Sequence, residues 1–219
     1  MLQFITKSSP RFSVSEIARK AIDGGCRWIQ LSAAAFDSDI AVLKSVAEEL
    51  IPYCQEADTF MVIENDVDLV DELRVHGVFL QDASRGTVAS AREKLGANAV
   101  IGTAPRTIEE LMNLRNLDVD YVSITPELAC AITYDTESGQ VTQDIASGYK
   151  ALIEAMRMRG LDLHVVAAGA ISPDLYPSLL EAGVAGVAVS DAIADATDPM
   201  EATRHLIELL SDARESTYR

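Results

Sequence analysis

Residues 151–190 read ALIEAMRMRGLDLHVVAAGAISPDLYPSLLEAGVAGVAVS. Ala151, Leu152, Ala155 and Met156 recur at helical spacing, and Gly160 follows where a helix stops. Leu163–Ala168 and Gly186–Ser190 are short, valine-rich apolar runs. Their length and content are those of strands buried on both faces.

The same alternation continues through the rest of the chain. Leu2–Thr6, Trp28–Ser32, Phe60–Glu64, Gly77–Gln81, Ala99–Thr103 and Tyr121–Thr125 are further strand-like runs. Val14, Ile17, Ala18 and Ala21 trace a helix ending at Gly24-Gly25. Ile40, Leu43, Val46, Ala47 and Leu50 trace another, predicted to end before Pro52. Eight strand signals alternating with helices in 219 residues predict a parallel sheet. That number in that length favours closure into a (β/α)8 TIM barrel, with residues 1–219 as one domain. No composition break marks a linker.

Apolar residues make up 48% of the chain and aromatics only 5%, so the core is built from aliphatic side chains. Lys and Arg total 18 against 34 Asp and Glu, a net charge of −16. Such a surface repels nucleic acid and anionic membranes, so neither is an expected partner. A phosphorylated ligand would need a local site. Cys26, Cys54 and Cys130 show no paired spacing, and His76, His164 and His205 are scattered, which argues against structural zinc. Unpatterned cysteines, a short apolar start from Met1 to Thr6, and no apolar stretch of about 20 residues predict a cytoplasmic protein.

Two loops follow strands and so belong to the face where barrel enzymes act. Thr6 to Ser13 carries Lys7 and Arg11, and Pro126 to Asp144, the longest connection, is read as a candidate lid.

Several motifs carry a resemblance. Ala182-Gly183-Val184-Ala185-Gly186-Val187-Ala188-Val189-Ser190-Asp191-Ala192-Ile193, then Asp198-Pro199, is similar to the closing strand and helix of thiamine phosphate synthases. Asp120-Tyr121-Val122 with Pro126, Gly102 with Thr107, and Gly24-Gly25 followed by Ile29-Gln30-Leu31 fit the same pattern. The chain therefore resembles the thiamine phosphate synthase and thiazole tautomerase family from about Ser15 to Leu210. The resemblance implies a TIM barrel, Mg²⁺ if synthase activity is retained and otherwise no cofactor, a small-molecule ligand at the barrel mouth, and a homodimer. Leu43 and Val46 are read as part of an apolar outer face for that pairing.

The departures from the family pattern fall at its chemistry. Where the family has Gln-Leu-Arg-x-Lys, this chain has Gln30-Leu31-Ser32-Ala33-Ala34, keeping the pyrimidine-binding glutamine and losing both diphosphate cations. The family's Asn-Asp, whose aspartate holds Mg²⁺, becomes Glu64-Asn65. Glu64 or Asp66 could supply a carboxylate, or Asp66 could cap the helix starting at Val67. Gln81 and Asp82 could stand for the family's Gln and acidic neighbour; alternatively Asp82 only begins the next helix. Phe79 replaces a histidine. Arg106 stands at another histidine position and is read either as an anion-binding fork or as a solvated residue at a helix entry. Thr125 and Thr133 are candidate ligands after the sixth strand, where no lysine occurs. Cys130 has no neighbouring histidine in sequence to activate it. Gly169-Ala170 and Ser190-Asp191 fall where the family holds the thiazole phosphate, and Asp191 would compete with that phosphate. Lys7 and Arg11 could replace the missing cations by swinging over the mouth.

Three functions remain open. The chain could be a thiamine phosphate synthase with weak or lost activity, a tautomerase-like or non-catalytic binding member of the same family, or an unrelated barrel enzyme.

Overall fold

The computed structural model describes residues 1–131 and 144–217. Among these, eight strands form a closed, all-parallel barrel in sequence order. They are β1 (Leu2–Ile5), β2 (Trp28–Leu31), β3 (Phe60–Glu64), β4 (Gly77–Leu80), β5 (Val100–Thr103), β6 (Tyr121–Ile124), β7 (His164–Ala168) and β8 (Gly186–Val189). β8 closes on β1 through Leu2↔Val187 and Phe4↔Val189. All eight strands fall within the runs expected from sequence. Several end one residue early, because the last residue of each run has already turned toward the loop face.

The helices are α1 (Val14–Asp23), α2 (Ile40–Glu56), α3 (Val67–Leu73), α4 (Arg85–Leu95), α5 (Ile108–Asn113), α6 (Pro126–Ala131), α7 (Ile145–Met158), α8 (Tyr176–Glu181), α9 (Asp191–Ala194) and α10 (Pro199–Thr217). Ser13 and Glu16 form a reciprocal capping box that starts α1. Two expectations change here. First, α2 continues through Pro52 to Glu56. Proline removes one N–H, but Leu50 and Cys54 are buried one turn apart and hold the helix onto the core past the break. Second, the stretch read as one long loop after the sixth strand begins as helix α6. The rest of that candidate lid, including Thr133, lies outside the described residues.

Side chains alternate across the barrel wall. Leu2, Phe4, Ile29, Leu31, Met61, Ile63, Val78 and Ile101 face the helices and join the largest apolar cluster. Val62, Phe79, Tyr121, Val166 and Ala188 form a separate cluster, to which Trp28 adds its ring. Trp28 meets Tyr121 edge-on at 4.7 Å between centroids. Gly102 makes room for this packing, since a Cβ there would lie 2.1 Å from the Tyr121 ring. Leu43 is fully buried and so is not part of an outer face, while Val46 is half-buried against the same core. No helix among the described residues is long and apolar enough to cross a membrane.

Candidate functional site

The loops after the strands gather nearly all the sequence-predicted site residues at one end of the barrel. Beneath them, Gln30 is 3% exposed. Its Oε1 accepts the Gln3 Nε2 hydrogen at 3.1 Å, and the same Gln3 amide reaches Tyr121 Oη at 3.3 Å. The retained glutamine is therefore tied into a buried polar pair that sequence reading missed.

Glu64 organises one side of the mouth. It is 6% exposed and ends β3. Its carboxylate accepts the Ser32 Oγ hydrogen at 2.7 Å, the Ala33 N–H at 2.9 Å and a hydrogen from Gln81 Nε2. The donors come from the ends of β2 and β4. A buried carboxylate with three donors thus sits where the ends of β2, β3 and β4 meet. Ser32 and Gln81, expected as ligand contacts, both donate to Glu64 in this structure.

Asn65 follows in the left-handed region at φ 60°, a conformation that asparagine tolerates better than most residues. Its Oδ1 accepts the Gln81 N–H at 2.9 Å, so it braces β3 against the start of the next loop. Asp66 Oδ1 accepts the Leu69 N–H at 2.8 Å and caps α3, as the capping alternative expected. Asp82 is exposed, and its carbonyl accepts the Thr87 Oγ1 hydrogen at 2.8 Å.

Mg²⁺ binding asks for several oxygen ligands in near-octahedral order. Here Glu64 is committed to three donors and Asp66 to a helix cap. Asn65 offers an amide where the family offers a carboxylate. Among the described residues no group of three or more His, Cys, Asp or Glu could hold a metal. This donor set does not fit Mg²⁺ as the family pattern does.

On the far side, near β7 and β8, Gly169 has φ 105° and needs glycine; Ala170 is exposed. Ser190 precedes α9 without a side-chain capping bond. Asp191 does not bond the helix amides. It accepts a hydrogen bond from Lys7 Nζ at 2.8 Å, and Asp195 accepts a second at 3.0 Å. These bonds push the Lys7 pKa above its usual value. Arg11 donates to the Asp195 carbonyl and to Thr197 Oγ1. Lys7 and Arg11 are thus engaged with the α9 segment.

Open space lies at the β4–β6 side. A cavity of ≈900 Å³ is lined by Asn65, Gln81, Asp82, Arg85 and Arg106 among others. A second of ≈600 Å³ is lined by Phe79, Ser123, Thr125, Ile108 and Leu128 among others. The two share Gln81, Ala104, Pro105 and Arg106. Thr125 Oγ1 accepts the Leu128 N–H at 3.4 Å and so helps cap α6. Burial, with Asp144 and Glu127 nearby, pushes the Cys130 thiol up, the reverse of what a nucleophile needs. Sequence reasoning missed Arg85 and Ser123. Arg85 directly follows Ser84, whose Oγ accepts the Thr87 N–H and marks the start of α4, and that cap was the available signal.

The comparisons with known proteins agree with this geometry. The family model described as thiamine monophosphate synthase matches residues 2–193. Thiamine-phosphate synthase from Bacteroides fragilis is 31% identical over 209 residues, covering 95% of this chain and 98% of that protein. The Bacteroides thetaiotaomicron protein of the same name is 32% identical, covering 95% and 96%. Among solved structures, thiamine phosphate pyrophosphorylase from Pyrococcus furiosus superposes with a TM-score of 0.70 at 23% identity, covering 97% and 96%, which speaks for the fold. The closed barrel and these matches together place the chain in the thiamine monophosphate synthase family.

Proposed function

We propose that this chain is a divergent, synthase-like protein of thiamine biosynthesis in which the coupling of hydroxymethylpyrimidine diphosphate to thiazole phosphate is weak or lost. The observation that carries the reading is the Glu64 carboxylate, held by Ser32 Oγ, the Ala33 N–H and Gln81 Nε2. The coupling reaction builds charge on a departing diphosphate, and preorganised donors and cations must stabilise it. In place of the family's arginine and lysine stand Ser32 and Ala34, and the nearest buried ionisable group is an anion. Losing one such donor typically lowers the rate by about 10²- to 10³-fold. A retained anion opposes the leaving group further.

A tautomerase-like reaction draws no support from the histidines. His76 Nδ1 accepts the Met61 N–H at 3.1 Å near the opposite end of the strands. His164 begins β7 and His205 lies in α10. Small-molecule binding without coupling is the reading that the open β4–β6 space favours.

The test is turnover of the two substrates by purified protein with Mg²⁺. We expect a rate at least about 10²-fold below that of a Bacteroides relative assayed in parallel. A rate within about tenfold, roughly 1.4 kcal/mol in barrier, would overturn the proposal.

A further inference from the structure

Inside the barrel, below the mouth, four side chains form a polar relay. Leu2, Phe4, Ile29 and Leu31 face the helices, so the alternating Gln3, Trp28 and Gln30 face the lumen. Phe4 pairs with Ile29 and Ile5 with Gln30, which sets Gln3 opposite Trp28 on the neighbouring strand. Tyr121 reaches both from β6, its Oη accepting from Gln3 Nε2 and its ring meeting the Trp28 ring edge-on. We propose that Trp28 and Gln3 are positioning residues that fix the sense of the Gln30 amide, so that Gln30 meets a ligand as a hydrogen-bond donor only.

The two ends of a primary amide have nearly the same shape, so packing does not choose between them. The chemistry of the neighbours must. Gln3 Nε2 gives one hydrogen to Gln30 Oε1 at 3.1 Å and the other to Tyr121 Oη at 3.3 Å. Gln3 Oε1, at the other end of that amide, is sealed from solvent with no partner among the described residues. Trp28 Nε1 is in the same condition. The two orphans are complementary, since an indole N–H only donates and an amide oxygen only accepts. One water between them accepts from the indole and donates to Gln3 Oε1, which relieves two costly buried groups. With the Gln3 amide reversed, two donors would face each other, and a water between them would gain no acceptor from Gln3. The donor-only indole therefore selects the orientation seen.

The consequence reaches Gln30. Its Oε1 is taken by Gln3, while its Nε2 bonds no described residue and, unlike the two orphans, is not sealed from solvent. A ligand group beside Gln30 must therefore bring a lone pair, as a carbonyl oxygen or an unprotonated nitrogen does. A group that only donates leaves the Gln30 hydrogens unpaired and is rejected. For the ligand, this rests on the reading of a small molecule at the barrel mouth; the sense of the amide does not.

NMR of the isotope-labelled full chain tests the relay without turnover. Scalar coupling across a hydrogen bond reports which nitrogen donates. We expect coupling from Gln3 Nε2 to Gln30 Cδ, and Gln3 amide hydrogens that exchange at least about tenfold more slowly than those of Gln30. The Trp28 indole N–H should show contact with a bound water. Trp28 is the only tryptophan, so benzothienylalanine can replace it throughout, keeping the ring shape and putting sulfur in place of the N–H. That replacement, like W28F, should cut the coupling to about half or less as both senses become populated. Y121F keeps the indole and should keep the coupling, which separates selection by Trp28 from loosened packing. N-methylpyrrolidone, which only accepts, should shift the Gln30 amide signals, and pyrrole, which only donates, should not. Coupling in the reverse direction, no water contact at Trp28, or full coupling in the benzothienylalanine protein would overturn the relay. Pyrrole shifting Gln30 as much as N-methylpyrrolidone, or neither shifting it, would overturn the donor-only rule. A failed coupling assay between the two substrates leaves all of these results standing.

Discussion

Replacing Glu64 tests whether its carboxylate is a structural hub or a metal ligand. In Glu64→Ala, the Ser32 hydroxyl, the Ala33 N–H and the Gln81 amide lose their common acceptor. Hydrogen bonds to a charged group are worth about 1.5–3 kcal/mol each when buried. Glu64 itself is 6% exposed, but Ser32 is only half-buried and Gln81 is exposed. Water can therefore reach part of the network and recover some of the loss. A net destabilisation of about 3 kcal/mol follows. For a chain of this size that corresponds to a Tm about 6–12 °C lower. Glu64→Gln presents one oxygen and one amide nitrogen, so it keeps an acceptor for Ser32 and Ala33 but sets a donor against Gln81. Its cost should be smaller, about 1–2 kcal/mol. Urea unfolding and scanning calorimetry, with and without Mg²⁺, measure both effects. Glu64→Ala within about 0.5 kcal/mol of the parent would refute the hub. So would a Mg²⁺-dependent rise in the parent's Tm that disappears in Glu64→Gln, because the carboxylate would then be reaching a metal.

The remaining predictions concern the backbone and the His76 imidazole. Asn65→Ala loses both the left-handed preference and the acceptor for the Gln81 N–H, and should cost about 2 kcal/mol; Asn65→Gly keeps the conformation and should cost about 1 kcal/mol, an order that urea midpoints will report. A Cβ at Gly77 would lie 2.0 Å from the Val100 carbonyl oxygen on the neighbouring strand, so Gly77→Ala should cost about 3 kcal/mol or prevent soluble expression. Gly86 lies inside α4 with nothing nearer than 3.9 Å to an added Cβ, and Gly86→Ala should stabilise by about 0.5 kcal/mol in the same assay. Burial lowers the pKa of His76, so the unfolded chain takes up a proton first as the solution is acidified. Its contribution is intact above about pH 6.5 and declines below that until the folded imidazole also protonates. His76→Gln should flatten that part of the pH–stability curve, and an unchanged slope would count against the assignment.

The barrel was legible in the sequence because its signals are local. A strand buried on both faces must be apolar at consecutive positions, and Phe60–Glu64 or Gly186–Ser190 announce this without reference to the rest of the chain. Helix stops such as Gly24 and capping residues such as Asp66 act within one turn, so they too were readable. Pro52 misled because packing of Leu50 and Cys54 outweighs the lost backbone bond. Leu43 misled because an apolar stripe does not say whether its partner is the chain's own core or a second copy.

Which residues gather at the strand ends was partly readable from motif positions, and so was the absence of cations after the second strand. Their partners were not. Glu64 meets donors 31 and 32 residues before it and 17 after it, and only barrel closure brings the ends of β2, β3 and β4 together. Lys7 reaches Asp191 across 184 positions because β8 returns to β1. Arg85 and Arg106 share a cavity because their loops follow adjacent strands. The sequence by itself determined the element order, the family pattern and which charges were lost. Only the tertiary structure decided which remaining charges are neutralised and which stay open to a ligand. Hydrogen bonding and charge pairing depend on distance through space, which chain order does not encode.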